Sequence, residues 1–207
     1  MKPILFNTEM VRAILDGRKR QTRRVVKTGS YTPLEIGRSK FYTFRDELNG
    51  KPGAWAGFYC NRDMFIGKDG EQHIDAVYAK LSYLPGDILW VRETWNTLCG
   101  QYIYRADQKP GMKNPGEWRP SIHMPKEAAR IFLRVTGVRV ERLQEMSYFD
   151  FLKEGLPYNQ FEEKLEKQFK ALWDSTIKPG NLHTCSWDVN PWVWVIEFER
   201  REEPEEE

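Results

Sequence analysis

Lys19 and Thr22 stand three residues apart in the segment Arg18-Lys19-Arg20-Gln21-Thr22-Arg23-Arg24-Val25-Val26-Lys27. A threonine hydroxyl becomes a nucleophile only when a neighbouring base takes its proton. A lysine can be that base if burial or nearby cations lower its pKa, and Arg18, Arg20 and Arg23 supply cations. A carboxylate is still needed to orient the amine or shuttle the proton, and spacing alone does not bring such groups together. The segment holds six basic residues in ten positions and no acid. A solvated turn is the ordinary home of such a run. Against that, it directly follows a helix end and lacks the interspersed acids of a salt-bridged surface. Guanidinium groups pair bidentately with phosphate, so Arg18, Arg20, Arg23 and Arg24 are candidate ligands for an anionic partner such as RNA or a nucleotide.

Aromatic and acidic residues form the second constellation. Trp192 and Trp194 alternate along a strand pattern and read as core. Trp90 and Trp95 differ by five, so they face opposite sides of a regular strand, which leaves one of them to line a pocket. Aromatic residues beside a basic patch suit base stacking. Glu93, in the same apolar stretch, reads either as an exposed strand-end residue or as a partly buried carboxylate near Arg92 or Lys19. Glu154 precedes Gly155 at the end of a short helix pattern. A surface position is its ordinary reading, but an acid there opposes the helix dipole and so draws notice. His183-x-Cys185 is the one close metal-ligand pair, completed only on paper by Cys60 and Cys99, so no metal is expected. No Walker A or Rossmann glycine motif is present, and no cofactor is expected.

Composition bounds the class. The chain has 207 residues, enough for one domain with a real core or at most two small ones. No apolar run approaches the roughly 18–20 residues of a spanning helix. With 8 Trp, 9 Tyr and 11 Phe, full disorder is excluded. The amino-terminal residues lack the long apolar stretch of a signal peptide, and three cysteines without tight spacing suit reduced thiols, so a cytoplasmic location is expected. Removing the five glutamates of residues 202–207 from a formal net charge of +2 leaves +7 on residues 1–201. A moderately basic body permits a polyanionic partner without requiring one.

Certain elements must position these residues. A short strand, Ile4-Leu5-Phe6, precedes a helix capped by Thr8, with the stripe Met10, Val11, Ile14 and Leu15 and with Gly17 at its C-terminal end. Residues 28–75 read as loops and short aromatic strands such as Ala54 to Tyr59, the pattern of an insertion. A turn at Leu84-Pro85-Gly86-Asp87 leads into a central strand from Ile88 to Trp95, and Tyr102-Ile103-Tyr104 is another short strand. Lys109 to Pro120 is a loop. Ile131 to Val140 is the longest strand candidate, with Ile131, Leu133 and Val135 on one face. A short helix starts at Ser147. A longer one, from about Gln160 to Asp174, aligns Phe161, Leu165, Phe169 and Leu172. In the last strand Trp192, Trp194, Ile196 and Phe198 share a face. Few βαβ units appear, and the fold class expected is α+β: a small, mostly antiparallel β-barrel with flanking helices.

The ordered set resembles a known family. Leu15-Asp16-Gly17-Arg18-Lys19 closing a helix, followed by Gln21-Thr22-Arg23-Arg24, is similar to the signature of ASCH-domain proteins of the PUA-like superfamily. Pro85-Gly86-Asp87-Ile88-Leu89, the strand Phe132 to Val140, the helix with Glu154-Gly155 and the closing Trp194-Val195-Ile196-Glu197-Phe198 match in order. The chain looks like the longer form often encoded by phages and prophages. The resemblance covers residues 1–201 as one domain except an insertion at about 28–80, and excludes the acidic tail, 202–207, read as disordered. It implies a β-barrel with a cleft that binds RNA or modified nucleosides. A branch of small amidohydrolases in the family removes the acyl group of N4-acetylcytidine with a Lys, a Thr and a Glu. By motif position these are Lys19, Thr22 and Glu154, with Arg24 as a further motif residue. Thr22 would attack the acyl carbon, Lys19 would take the proton and Glu154 would position Lys19. That branch is much shorter than this chain.

Three functions follow as expectations. The leading one is binding of RNA or a modified nucleoside or nucleotide by Arg18, Arg20, Arg23, Arg24, Trp90, Glu93 and Trp95. The second is deacylation of an N4-acylated cytosine by Lys19, Thr22 and Glu154. The third is a phage interaction protein with a vestigial cleft, whose protein partner contacts the 28–80 insertion.

Overall fold

The computed structural model describes residues 1–27, 42–48, 51–66, 72–109, 111–112 and 116–202, with the backbone alone described for 42–77. Most of the acidic tail, the Cys60 side chain and much of the insertion lie outside this description. The elements in chain order begin with β1 (Lys2–Leu5), α1 (Thr8–Leu15), β2 (Gln21–Val25), β3 (Tyr42–Leu48), β4 (Lys51–Ile66) and β5 (Gln72–Lys80). There follow β6 (Ile88–Arg92), β7 (Trp95–Leu98), β8 (Gln101–Tyr104), β9 (Phe132–Arg142), α2 (Tyr148–Lys153), α3 (Glu162–Thr176), α4 (Leu182–Cys185) and β10 (Trp192–Arg201). The fold is α+β. Among the described residues no helix is long and apolar enough to cross a membrane.

A mixed five-stranded sheet, ordered β1-β6-β9-β10-β2, carries the site. Only β1 and β6 pair in parallel. β10 lies between β9 and β2, and its alternation splits the core in two. Trp192, Trp194, Ile196 and Phe198 face a cluster with Ile4, Val91 and Leu133, into which α1 sends Val11 and Ile14. Val193 and Val195 face the helical layer of Phe151, Leu165, Phe169, Trp173 and Trp187. Both faces of β10 are therefore buried, as its near-continuous apolar sequence requires.

The closed barrel expected from the sequence does not form among the described strands. The sheet ends at β1 and β2, which are not paired with each other. The two ends nonetheless approach, because Arg24 on β2 donates from Nη2 to the Leu5 carbonyl at 2.9 Å. Side chains occupy this seam where a closed barrel has a backbone ladder.

Several element boundaries differ from the sequence reading. Asn7, not Thr8, caps α1, accepting from the Met10 N–H at 2.8 Å. Asn7 has the extended backbone a cap needs, and Thr8 is already helical. Phe161 precedes α3 and is 88% exposed, so the buried stripe is Leu165, Phe169 and Trp173 rather than one ending at Leu172. The strand from Ile88 ends at Arg92, and Trp95 opens a separate hairpin, β7–β8. Where residues 28–75 were expected as loops and short strands, the described residues form the three-stranded sheet β3-β4-β5, with β4 16 residues long.

Candidate active site

The basic segment leaves α1 through a tight exit. Gly17 takes φ +72°, and the N–H groups of Arg18 and Lys19 both donate to the Ala13 carbonyl at 2.9 Å. The Arg20 N–H then donates to the Lys153 carbonyl of α2 at 2.8 Å, and the Phe198 N–H to the Arg20 carbonyl at 2.9 Å. Lys19 is thus fixed between α1, α2 and β10 before its side chain makes any contact. Gly155 completes the fit. It takes φ +100°, and a Cβ there would lie 2.7 Å from the Ala13 Cβ and 3.1 Å from the Lys19 Cβ.

The side chains meet at Glu154. Lys19 Nζ donates to Glu154 Oε2 at 2.6 Å and to the Glu154 carbonyl at 3.0 Å. Arg23 Nη1 donates to the other carboxylate oxygen, Oε1, at 2.9 Å. Lys19 and Arg23 have no side-chain exposure, and Glu154 has 3%. The second arm of Arg23 bonds Glu141 and lies 3.7 Å from Asp150 Oδ1. Burial lowers the Lys19 pKa from 10.5; Glu154 opposes the shift, and Arg24 and Arg23 add to it. This is an amine held in place by a carboxylate yet pushed toward its neutral form.

Thr22 and Arg24 share the face of β2 that opposes Ile196 and Trp194 of β10. Arg24 Nη1 donates to Thr22 Oγ1 at 3.2 Å. Lys19 Nζ and the Arg24 guanidinium both lie on the Phe6 ring, at 5.7 and 5.4 Å from its centroid. Thr22, Arg23, Arg24 and Glu154 line a small cavity of about 20 Å³, closed on the α3 side by Phe169 and Trp173. That space suits about one water. It adjoins a cavity of about 500 Å³ in the seam, bordered by Phe6, Met10, Arg24, Tyr83 and Trp173. No hydrogen bond joins Lys19 to Thr22 in this arrangement: the amine is engaged by Glu154, and the hydroxyl accepts from Arg24.

The other expected ligand residues are placed elsewhere. Arg18 bonds Asp16 at 2.8 Å and the Gly155 carbonyl. Arg20 is exposed and bonds the Gly17 carbonyl at 3.2 Å. Glu93 is buried and takes a two-pronged bond from Arg130, at 2.9 and 3.0 Å. Burial pushes its carboxyl up, against the pull of Arg130. Trp90 is buried beneath the Arg92 guanidinium. Trp95 packs with Met124 and Ala128. Trp90, Glu93 and Trp95 border neither seam cavity. Of the four arginines, Arg23 and Arg24 border the seam, and of these two only Arg23 bonds a carboxylate among the described residues. Sequence reading missed Phe6, Tyr83 and Trp173, which come from three distant segments and carry no local signature.

No family model, curated protein or solved structure matches the chain.

Proposed function

We propose that the chain is an amidohydrolase of ASCH type, on an open PUA-like barrel, that deacylates an N4-acylated cytosine nucleoside held in the seam. The observation that carries this reading is the buried Lys19–Glu154 pair beside Thr22 and Arg24. In the first step the neutral Lys19 amine takes the Thr22 hydroxyl proton as Thr22 Oγ1 attacks the acyl carbon. The developing oxyanion is met by the Arg24 guanidinium. Lys19 returns the proton to the departing base nitrogen, leaving an acyl ester on Thr22 that water hydrolyses. Glu154 holds the amine and balances the lysinium that forms. Phe6, Tyr83 and Trp173 give the base aromatic walls.

A compact ligand fits better than a long RNA strand, because Arg18 and Arg23 are already engaged internally. Binding without turnover is the second reading. It is favoured by the lack of a Lys19–Thr22 hydrogen bond, since the amine must turn from Glu154 before it can act. The test is turnover of N4-acetylcytidine by wild type, Thr22→Ser and Thr22→Val. The hydrolase reading expects release of cytidine by wild type, retention of part of the rate by the serine variant, and its loss in the valine variant. Equal turnover by wild type and Thr22→Val would overturn Thr22 as nucleophile. Binding of cytidine without any turnover would favour the second reading.

A further inference from the structure

Beyond Arg24 the cleft continues. A second cavity of about 280 Å³ lies on the other side of Arg24 and Tyr83, residues that also border the seam cavity. Its floor is apolar: Trp194, Ile196 and Val138 of the inner sheet face, with Leu81. Its rim is cationic, with Arg24, Lys27 and Lys80, and no acid is among its described lining residues. Arg24 makes hydrogen bonds only to neutral acceptors, the Thr22 hydroxyl and the carbonyls of Leu5 and Arg23. Lys27, exposed where the chain leaves β2, has no hydrogen bond or ion pair among the described residues. The Tyr83 hydroxyl donates to the Pro3 carbonyl at 2.9 Å, which fixes the ring as a wall between the two cavities.

We infer that this chamber is a phosphate subsite, so that the ligand of the cleft is a nucleotide rather than a free nucleoside. The cavity, a cationic rim with no acid among its described residues, and the half-buried Arg24 guanidinium, which hydrogen-bonds no carboxylate, carry the inference. A phosphate ester on the ribose would receive charge-assisted bonds from Arg24 and Lys27 while the base stays in the seam. Arg24, Val25 and Tyr83 line both the seam and the chamber, so a ligand with its base in the seam directs its phosphate past Arg24 toward the chamber. The inference rests on the cleft reading above for the placement of the base, but not on hydrolysis.

The test is calorimetric titration of the full chain, in a buffer without phosphate, with cytidine, cytidine 5′-monophosphate and cytidine 3′-monophosphate. At least one monophosphate is expected to bind about tenfold more tightly than cytidine. Lys27→Ala is expected to remove most of that gain and leave cytidine binding unchanged. Lys164→Ala, an exposed cation on α3, is expected to retain it. Equal binding of nucleoside and monophosphates overturns the subsite. So does a gain that survives Lys27→Ala, or one that Lys164→Ala weakens equally, since that marks bulk charge alone. A Lys27-dependent gain in a chain with no turnover keeps the subsite and removes the hydrolase; turnover without such a gain does the reverse.

Discussion

Glu154 takes two cations on one buried carboxylate, and this makes the site's residues unequal. Lys19→Met removes one charge and leaves Glu154 paired with Arg23. Glu154→Gln leaves Lys19 and Arg23 buried with their shared counter-charge gone. Stripping one member from a buried pair costs about 3–5 kcal/mol. Urea unfolding should therefore show Glu154→Gln near that range and Lys19→Met clearly below it; equal losses would contradict the shared-carboxylate geometry. The same contact sets a pH dependence. Glu154 raises the Lys19 pKa against burial, so activity should climb with pH and level off below the ordinary lysine value of 10.5. Glu154→Gln should move that limb to lower pH, because the support for the charged amine is gone. A limb left in place would separate Glu154 from Lys19's titration. Lys19, Thr22 and Glu154 were legible as residue types and motif positions. The internal engagement of Arg18, Arg23 and Glu93 was not, because the partners of Arg23 and Glu93 lie 37 to 131 positions away.

The short helix α2 is the element that delivers Glu154, and Asp150 anchors it. Ser147 caps α2, and Asp150 Oδ2 accepts from the Ser147 N–H at 3.0 Å and its hydroxyl at 2.7 Å. Asp150 Oδ1 also accepts from Gln21 of β2 at 3.0 Å and Arg139 of β9 at 3.2 Å. Burial pushes the Asp150 carboxyl up, but the Ser147 and Gln21 bonds and the Arg23 charge outweigh it and hold the pKa at about 2. A depressed carboxyl stabilises the fold above its unfolded pKa and loses that contribution as pH falls through the folded value. With solvent screening of this partly exposed group, Asp150 should thus contribute about 1 kcal/mol that fades as pH falls from 3.8 to about 2. Asp150→Asn should flatten the stability profile in that window; an unchanged acid limb would contradict the assignment. Gly155, one residue past Glu154, has neither the backbone angle nor the space for a side chain. Gly155→Ala should cost at least 1 kcal/mol or so in unfolding and displace Lys19. A variant as stable and active as wild type would show the approach to be slack. The start of α2 was legible from Ser147. The stripe of α3 was misplaced at both ends: Phe161 proved to be its exposed cap position, and Trp173, at the spacing of four, replaced Leu172.

At the scale of the whole molecule the cleft is a product of incomplete closure. The shared face of Trp192, Trp194, Ile196 and Phe198 followed from apolar alternation, which is a local pattern. The gap between β1 and β2 did not, since it depends on how far a five-stranded sheet curls. Phe6, Tyr83 and Trp173 enter that gap from the end of β1, the segment after β5 and the last turns of α3. Arg24 spans it and is shared by the small cavity beside Thr22 and Glu154, the seam and the chamber beyond. The account therefore ties catalysis to one buried amine at the edge of an open sheet. The most direct test is turnover of N4-acetylcytidine by wild type and Lys19→Ala, each shown to be folded by circular dichroism, with products followed by chromatography. The account predicts cytidine release by wild type and a loss of about a hundredfold or more in the variant. Undiminished turnover by folded Lys19→Ala, or none by folded wild type at high enzyme concentration, would contradict it.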